Sequence, residues 1–335
     1  MVKADNRVVH ALKCKVDRES EWRRKKVKHG SSRWHEKYQH VVDMAGSTRP
    51  NWPKFKQMVK DLITTDRVTF WRNYIKPLVQ QGNLLKLIEA ENADLTWKSI
   101  IYDLPRGVLS FAVRASIDFL PTFSNLKTWG KRTQTKCRFC GNQETLIHIL
   151  NSCSVFLNQG RFTWRHDSIL VHILKQLKNA IGTDSNSIQI FSDMPGFTTT
   201  GGTLPVNIIV SKLRPDIVLV NSKKKSVHLV ELTVPFEHNI SKAHERKTHK
   251  YADLVLDISQ NGYNCSLTCI EIGSRGLVTP ETNKRISEIF SSIKAKPPKS
   301  LKKDLSKIAI LSSYTIWNAR HEPSWGATDQ PHLQL

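Results

Sequence analysis

The sequence predicts an α+β protein, with a helical first half followed by a part in which short strands and helices alternate. Three observations lead to this fold class. Apolar residues recur at helical spacing over residues 55–92 and 162–177. Two short β-branched runs, residues 217–220 and 227–234, flank a polar turn. A cluster of cysteines and a histidine lies between the two parts.

The strand pair carries two acids. Asp216 precedes the first run and Glu231 lies near the end of the second, with fourteen residues between them. In a hairpin this spacing brings the two carboxylates together in an otherwise apolar sheet. Buried like charges are unfavourable unless a cation or a proton relieves them. Because carboxylate oxygens suit magnesium, the pair predicts a Mg²⁺ site.

The next predicted helix, residues 240–258, carries lysines. Lys247, Lys250 and Tyr251 lie three or four positions apart, so they share one helix face. Two acids on a hairpin with lysines on the following helix form the layout of a metal-dependent phosphodiesterase. There the metal polarises the phosphate, and a lysine orients the water or stabilises charge. The alternative is a solvated basic helix beside an ordinary strand pair.

The cysteine cluster has the spacing of a zinc site. Cys137 and Cys140 have two residues between them, His148 follows after seven more, and Cys153 after a further four. A thiolate pair at a tight turn and two ligands about one helical turn apart can close a tetrahedral Zn²⁺ site. Four protein ligands leave no place for water, so the zinc is expected to be structural. A redox Cys-x-x-Cys or chance core cysteines are the alternatives.

The net charge of +22 and the pI of 9.8 favour a polyanionic partner. A membrane surface is the rival to nucleic acid, but no apolar run is long enough to span a bilayer and no signal peptide opens the sequence. Nucleic acid is therefore the expected partner. Six cysteines without a secretory signal indicate a reduced compartment.

The densest basic run is near the beginning of the chain, at Arg23, Arg24, Lys25 and Lys26. It could be a nuclear-localisation signal, a phosphate-contacting arm or a solvated tail. The first possibility places the protein in the nucleus. Further basic candidates for nucleic-acid contact lie at the zinc motif and around the predicted helices: Lys136, Arg138, Arg165, His166 and Arg214.

Residues 182–202 are rich in Ser, Thr, Gly and Asn and are expected to form a loop. Residues 264–273 predict a third strand. Its Cys265 and Cys269 point to one face and are expected to be core residues, and Glu271 is a weaker candidate for a third acid. Residues 283–294 predict a helix, and residues 301–320 predict a basic amphipathic helix.

The order of these motifs resembles one known group. The zinc pattern, Arg165-His166, then Arg214-Pro215-Asp216 with its spaced acid and a lysine-tyrosine helix, is similar to the C-terminal region of site-specific non-LTR retrotransposon polyproteins that carry a restriction-like endonuclease. Residues 104–107 and 129–131 also resemble the linker that follows the reverse-transcriptase thumb in that group. The resemblance covers about residues 61–325.

The resemblance implies a PD-(D/E)xK nuclease fold that nicks target DNA to prime reverse transcription. Asp216 and Glu231 would hold Mg²⁺, helped by the carbonyl of Leu232. The usual strand lysine is missing, because Thr233 stands there, and the family's relocated lysine points to Lys247, supported by Lys250 and Tyr251. DNA and the element's RNA would be the partners, and the oligomeric state stays open.

The resemblance also divides the chain into regions. We expect a basic arm at residues 1–53, a helical thumb-like linker at 54–130, a zinc knuckle with a helix at 131–180, a loop or linker at 181–204, an endonuclease domain with a C-terminal helix at 205–325, and a tail at 326–335.

Polymerase chemistry is not expected from this chain. It lacks a Tyr/Phe-x-Asp-Asp pair, and Tyr251-Ala252-Asp253-Leu254 is the nearest string. The rival to an active nuclease is a non-catalytic nucleic-acid-binding remnant of a truncated or host-adopted element. A degenerate fragment without its own function is the third possibility.

Overall fold

The computed structural model describes residues 52–70, 73–74, 76–79, 82–90, 100, 103–182, 188–197 and 204–326. The chain falls into two compact units, residues 1–77 and 78–335. In the first unit the structure describes helix α1 (Trp52–Phe70). The predicted basic run at Arg23, Arg24, Lys25 and Lys26 lies outside the described residues.

The second unit is a mixed α+β structure. Its helices are α2 (Asn83–Ala90), α3 (Arg106–Ser116), α4 (Phe123–Thr128), α5 (Ser154–Asn158), α6 (Arg161–Ile181), α7 (Ile240–Gln260), α8 (Pro280–Ser292) and α9 (Leu301–Asn318), with short turns of 3-10 helix at Glu237–Asn239 and Ala319–His321. Its strands are β1 (Ile188–Phe191), β2 (Ile217–Asn221), β3 (Ser226–Thr233) and β4 (Asn264–Glu271).

The described strands form one mixed sheet in the order β1-β2-β3-β4. Strands β1, β2 and β3 pair antiparallel, and α7 crosses over so that β4 pairs parallel with β3. In the β2–β3 ladder Ile217 is the partner of Val230. One step further along this register, Asp216 stands opposite Glu231, as the hairpin prediction required.

Helices cover both faces of the sheet, which explains why its central strands are mostly apolar. On one face, Ile217, Leu219, Val230 and Leu232 pack with α6, α8 and α9. On the other face, the alternate strand residues pack with α7 through Tyr251, Leu254 and Ile258. The side chain of Glu231 is therefore placed between the sheet and a helix.

A second core joins the cysteine cluster to α3 and to the C-terminal half of α9. Helix α9 contributes Leu305 and Ile308 to the sheet core and Ile316 and Trp317 to this second core. The helix predicted at residues 301–320 is present as α9. Much of this helix is buried because it lies between two cores.

Two further differences from the prediction concern the sheet and the loop before it. Strand β1 lies within the segment expected to be a loop; its four residues are too few to give a clear alternation. Glu271 is buried, and its two oxygens pair with His244 at 3.0 Å and with Arg285 at 2.7 Å. Among the described helices, none is long and apolar enough to cross a membrane.

His228 on β3 makes the stability of the fold depend on pH. Its ring lies 2.8 Å from the hydroxyl of Thr268, and burial lowers its pKa from 6.5 to about 4. In the unfolded chain His228 is protonated below about pH 6.5, whereas in the folded chain it stays neutral until about pH 4. As the pH falls between these values, His228 lowers the free energy of unfolding by up to about 3 kcal/mol.

We therefore expect His228→Gln to show a smaller loss of unfolding free energy than the wild type between pH 7 and pH 4.5, measured by urea denaturation. The same replacement of the exposed His249 on α7 is the control and should follow the wild type. Parallel curves for the wild type and His228→Gln would contradict the assignment.

Candidate functional site

The first two cysteines of the zinc pattern lie on a tight turn. The backbone N–H of Cys137 donates to the carbonyl of Asn142 at 2.7 Å, and Gly141 N–H donates to the carbonyl of Cys137 at 3.0 Å. Gly141 has φ +76°, a left-handed conformation that a residue without a Cβ adopts at no steric cost. The turn therefore brings both thiols to one side of the chain.

The other two candidate ligands are held by a π-helical turn, His148–Ser152. The N–H of Cys153 donates to the carbonyl of His148 at 2.9 Å and closes the turn. A spacing of five residues fits this i to i+5 turn better than the α-helical turn that the sequence suggested. The wider turn brings the ring of His148 and the thiol of Cys153 together.

The four ligand atoms of Cys137, Cys140, His148 and Cys153 all lie within 4.8 Å of one another. The sulfurs of Cys140 and Cys153 are 3.8 Å apart, and the Cys140 sulfur is 3.3 Å from His148 Nε2. Tetrahedral zinc with Zn–S bonds of about 2.3 Å separates its sulfurs by roughly 3.8 Å. The cluster could therefore bind a metal such as zinc, and four protein ligands would fill its shell.

The π-helical turn that holds two of the candidate ligands contacts the end of strand β3. The side-chain amide of Asn151, inside the π-helical turn, donates to the carbonyl of Val234 at 2.8 Å. Val234 follows directly after β3, on which Glu231 lies. A metal that orders the π-helical turn would therefore also fix the backbone beside the two acids.

Asp216 and Glu231 come together at the end of the β2–β3 hairpin. The backbone N–H of Leu232 donates to Asp216 Oδ2 at 2.7 Å. Glu231 is only 2% exposed, and burial together with the charge of Asp216 raises its pKa. Its Oε2 has no hydrogen-bond partner of normal geometry in the described chain. The site holds more carboxylate oxygen than the protein itself satisfies.

Lys247 reaches this site from α7, and its ammonium forms an ion pair with Glu231 Oε1. Tyr251 is fully buried one turn further on, and its hydroxyl donates to the carbonyl of Arg214 at 2.9 Å. Lys250 Nζ donates to that hydroxyl at 3.0 Å. Burial and the charge of Glu231 raise the pKa of Tyr251, so its hydroxyl keeps its proton. Of the two lysines, Lys247 is the one that contacts an acid.

His166 on α6 also belongs to the acid site, although its sequence context suggested nucleic-acid contact. Its Nε2 lies 3.2 Å from both Asp216 Oδ2 and the carbonyl of Leu232, and its Nδ1 lies 2.8 Å from Asp167. Burial lowers its pKa, but the two carboxylates outweigh burial and raise the pKa to about 10. An imidazolium thus lies between two of the oxygens proposed to hold a metal.

The prediction that Arg165 contacts nucleic acid is wrong, because this side chain is 1% exposed. Its guanidinium donates to Ser313 Oγ at 3.1 Å and to the carbonyl of Val234 at 3.2 Å. Sequence reasoning had a signal for this: Arg165 lies four residues before the buried Ile169, on the apolar face of α6.

The remaining basic candidates are at the surface. Lys136 and Arg138 flank Cys137 and are exposed. The side chain of Arg214 is 67% exposed and lies 3.7 Å from Asp193. These side chains are accessible to solvent, and their contact with nucleic acid stays a prediction. Arg214 contacts the acid site through its backbone carbonyl, which accepts a hydrogen bond from Tyr251.

A cleft of about 590 Å³ opens beside the acid pair. His166, Leu232 and Lys247 line both the cleft and the acid site, and Lys242 and Arg246 add positive charge to its wall. No sequence motif pointed to Arg246. Its position one residue before Lys247 on an exposed helix face was the available signal.

The zinc assignment predicts one bound Zn²⁺ per chain. Cys153→Ser should lose the metal and lower the unfolding midpoint, because three ligands no longer close the shell. Cys265→Ser is the matched control, since Cys265 lies on β4 away from the cluster. Metal content by plasma emission and thermal unfolding measure both effects. Full zinc occupancy in Cys153→Ser would contradict the assignment.

No protein-family model and no curated protein sequence matches this chain.

Proposed function

We propose that this protein is a divalent-metal-dependent DNA endonuclease of retrotransposon origin with a PD-(D/E)xK-like nuclease domain. The observation that carries the proposal is the pairing of Asp216 with the buried Glu231, together with Lys247 on the next helix. Phosphodiester hydrolysis needs these groups: oxygen ligands for a hard cation and a fixed positive charge near the phosphate.

The donor set suits Mg²⁺, because Asp216, Glu231 and the carbonyl of Leu232 are all oxygen ligands. When bound, the ion would polarise the scissile phosphate and lower the pKa of a water molecule. Lys247 then holds Glu231 in place and offers its ammonium to the water or to the charge that develops on the phosphate.

The basic cleft supports a polyanionic substrate strand. Lys242 and Arg246 line it next to Lys247, so a phosphate backbone that follows this wall passes the acid pair. DNA is the proposed substrate, the element's RNA the proposed second partner and the nucleus the proposed location. Nicking of the target would provide the 3′ end for a polymerase.

A non-catalytic nucleic-acid-binding protein is the second candidate, and one observation favours it. Lys247 already pairs with Glu231, and the imidazolium of His166 already pairs with Asp216, without any metal. In that case the acid pair would be a structural ion-pair network. Nucleic acid would then bind to the basic surface without being cut.

Nicking of supercoiled plasmid with Mg²⁺ separates the two candidates. We expect the wild type to nick and Asp216→Ala to lose activity by at least about 100-fold, because one metal ligand is gone. Lys247→Ala should lose a similar factor through loss of charge stabilisation. Both variants should still bind DNA.

Asp253→Ala is the matched control for the acid, since Asp253 is exposed on α7, two residues beyond Tyr251. It should nick like the wild type. Loss in Asp216→Ala alone would move the lysine role to Lys250. A folded, zinc-loaded wild type that binds DNA but does not nick it would favour the second candidate.

A further inference from the structure

A group of cationic side chains meets at the ring of Phe123, near the cysteine cluster. The guanidinium carbon of Arg132 lies 3.5 Å from the ring centroid, and that of Arg138 lies 5.8 Å from it. The ring of His321 stacks on the same phenyl group, with centroids 5.4 Å apart and planes at 16°. Residues far apart in sequence therefore form one surface.

Arg320 belongs to the same group through its charge. Burial raises the pKa of Glu144, and the charges of Arg320, Arg132 and Arg138 act against this rise. The same three arginines add to burial in lowering the pKa of His321. Glu144 is buried and accepts a hydrogen bond from Phe123 N–H at 3.1 Å. The three arginines therefore act on one buried carboxylate.

The excess charge is not balanced within the described chain. None of Arg132, Arg138 and Arg320 forms an ion pair within 4.0 Å there. Burial and the three arginines lower the pKa of His321 to about 4, so its ring adds no further charge at neutral pH. A neutral imidazole offers one donor and one acceptor. The group thus has the positive charge and the hydrogen-bond donors of an anion-binding site.

We propose that Arg132, Arg138 and His321 bind a phosphodiester group of a nucleic-acid backbone. Guanidinium groups match phosphate oxygens through paired N–H donors, which an ammonium cannot do. The contacts of Arg132 and Arg138 with Phe123 restrict both side chains before binding, which lowers the entropic cost of ordering them. The overall charge of +22 favours a polyanion over an acidic peptide.

This site is separate from the acid pair, because it shares no residue with it or with the basic cleft. It would hold the backbone of a bound strand at a second point, beside the exposed Lys136 of the zinc motif. The binding step needs no cleavage, so the inference can fail while the nuclease proposal stands, and the reverse.

The test is fluorescence anisotropy with the full, zinc-loaded chain and no added magnesium. The probes are labelled single-stranded DNA, duplex DNA and RNA of one sequence, each over a series of salt concentrations. Arg132→Gln/Arg138→Gln should bind about ten-fold more weakly near 0.1 M salt. Its plot of log affinity against log salt should be less steep by about 0.7 to 0.9 for the lost phosphate. The probe with the largest loss identifies the source of the phosphate.

Two variants act as controls. Lys223→Gln/Lys224→Gln removes the same charge from the exposed β2–β3 turn and should change affinity less than two-fold. Arg132→Lys/Arg138→Lys keeps the charge but not the planar donors and should fall between wild type and the glutamine variant. Zinc content shows that each variant is folded.

Equal losses of affinity in Arg132→Gln/Arg138→Gln and in Lys223→Gln/Lys224→Gln would show that only net charge matters. That result would overturn the proposed site. Wild-type affinity in Arg132→Lys/Arg138→Lys would overturn the paired guanidinium contact. Wild-type affinity of Arg132→Gln/Arg138→Gln for all three probes would overturn the proposal outright.

Discussion

The register of the β2–β3 ladder places two carboxylates opposite each other at one end of a sheet that helices cover on both faces. Cationic side chains around the pair compensate for its negative charge. Asp216 and Glu231 face each other because Ile217 pairs with Val230. Burial and mutual repulsion disfavour the charged form of Glu231. The ammonium of Lys247 and the imidazolium of His166 reach the pair from helices on opposite faces of the sheet. The site is thus built from every layer of the domain.

Hydrogen bonds connect the cysteine–histidine cluster to the acid site. The carbonyl of Val234 accepts hydrogen bonds from Asn151 in the π-helical turn and from Arg165 on α6. Ser313 on α9 also contacts Arg165, so the buried helix supports the same point. The π-helical turn and two helices therefore hold the chain immediately after the strand that carries Glu231. A metal bound by the cysteine–histidine cluster would help to position the acids through this turn.

Local sequence patterns predicted the parts of the site that depend on short-range geometry. The hairpin spacing brought Asp216 to Glu231, the position of Lys247 in its helix brought it to the same carboxylate, and the cysteine spacing predicted the four-ligand cluster. Long-range packing decided the rest. His166 reaches Asp216 across fifty residues of sequence, and His321 reaches the ring of Phe123 from a distant segment of the chain. The burial of α9 likewise depends on two cores meeting around it.

The most direct test of the central claim is whether the acid pair binds a divalent cation. Mn²⁺ suits the same oxygen ligands and can be titrated by electron paramagnetic resonance on the zinc-loaded protein without any substrate. We expect one bound Mn²⁺ that is lost in Asp216→Asn and in Glu231→Gln. Mn²⁺ binding should survive in Glu271→Gln, because the carboxylate of Glu271 is paired with His244 and Arg285. A folded wild type that binds no Mn²⁺, or equal binding in all variants, would contradict the claim that these carboxylates form a metal site.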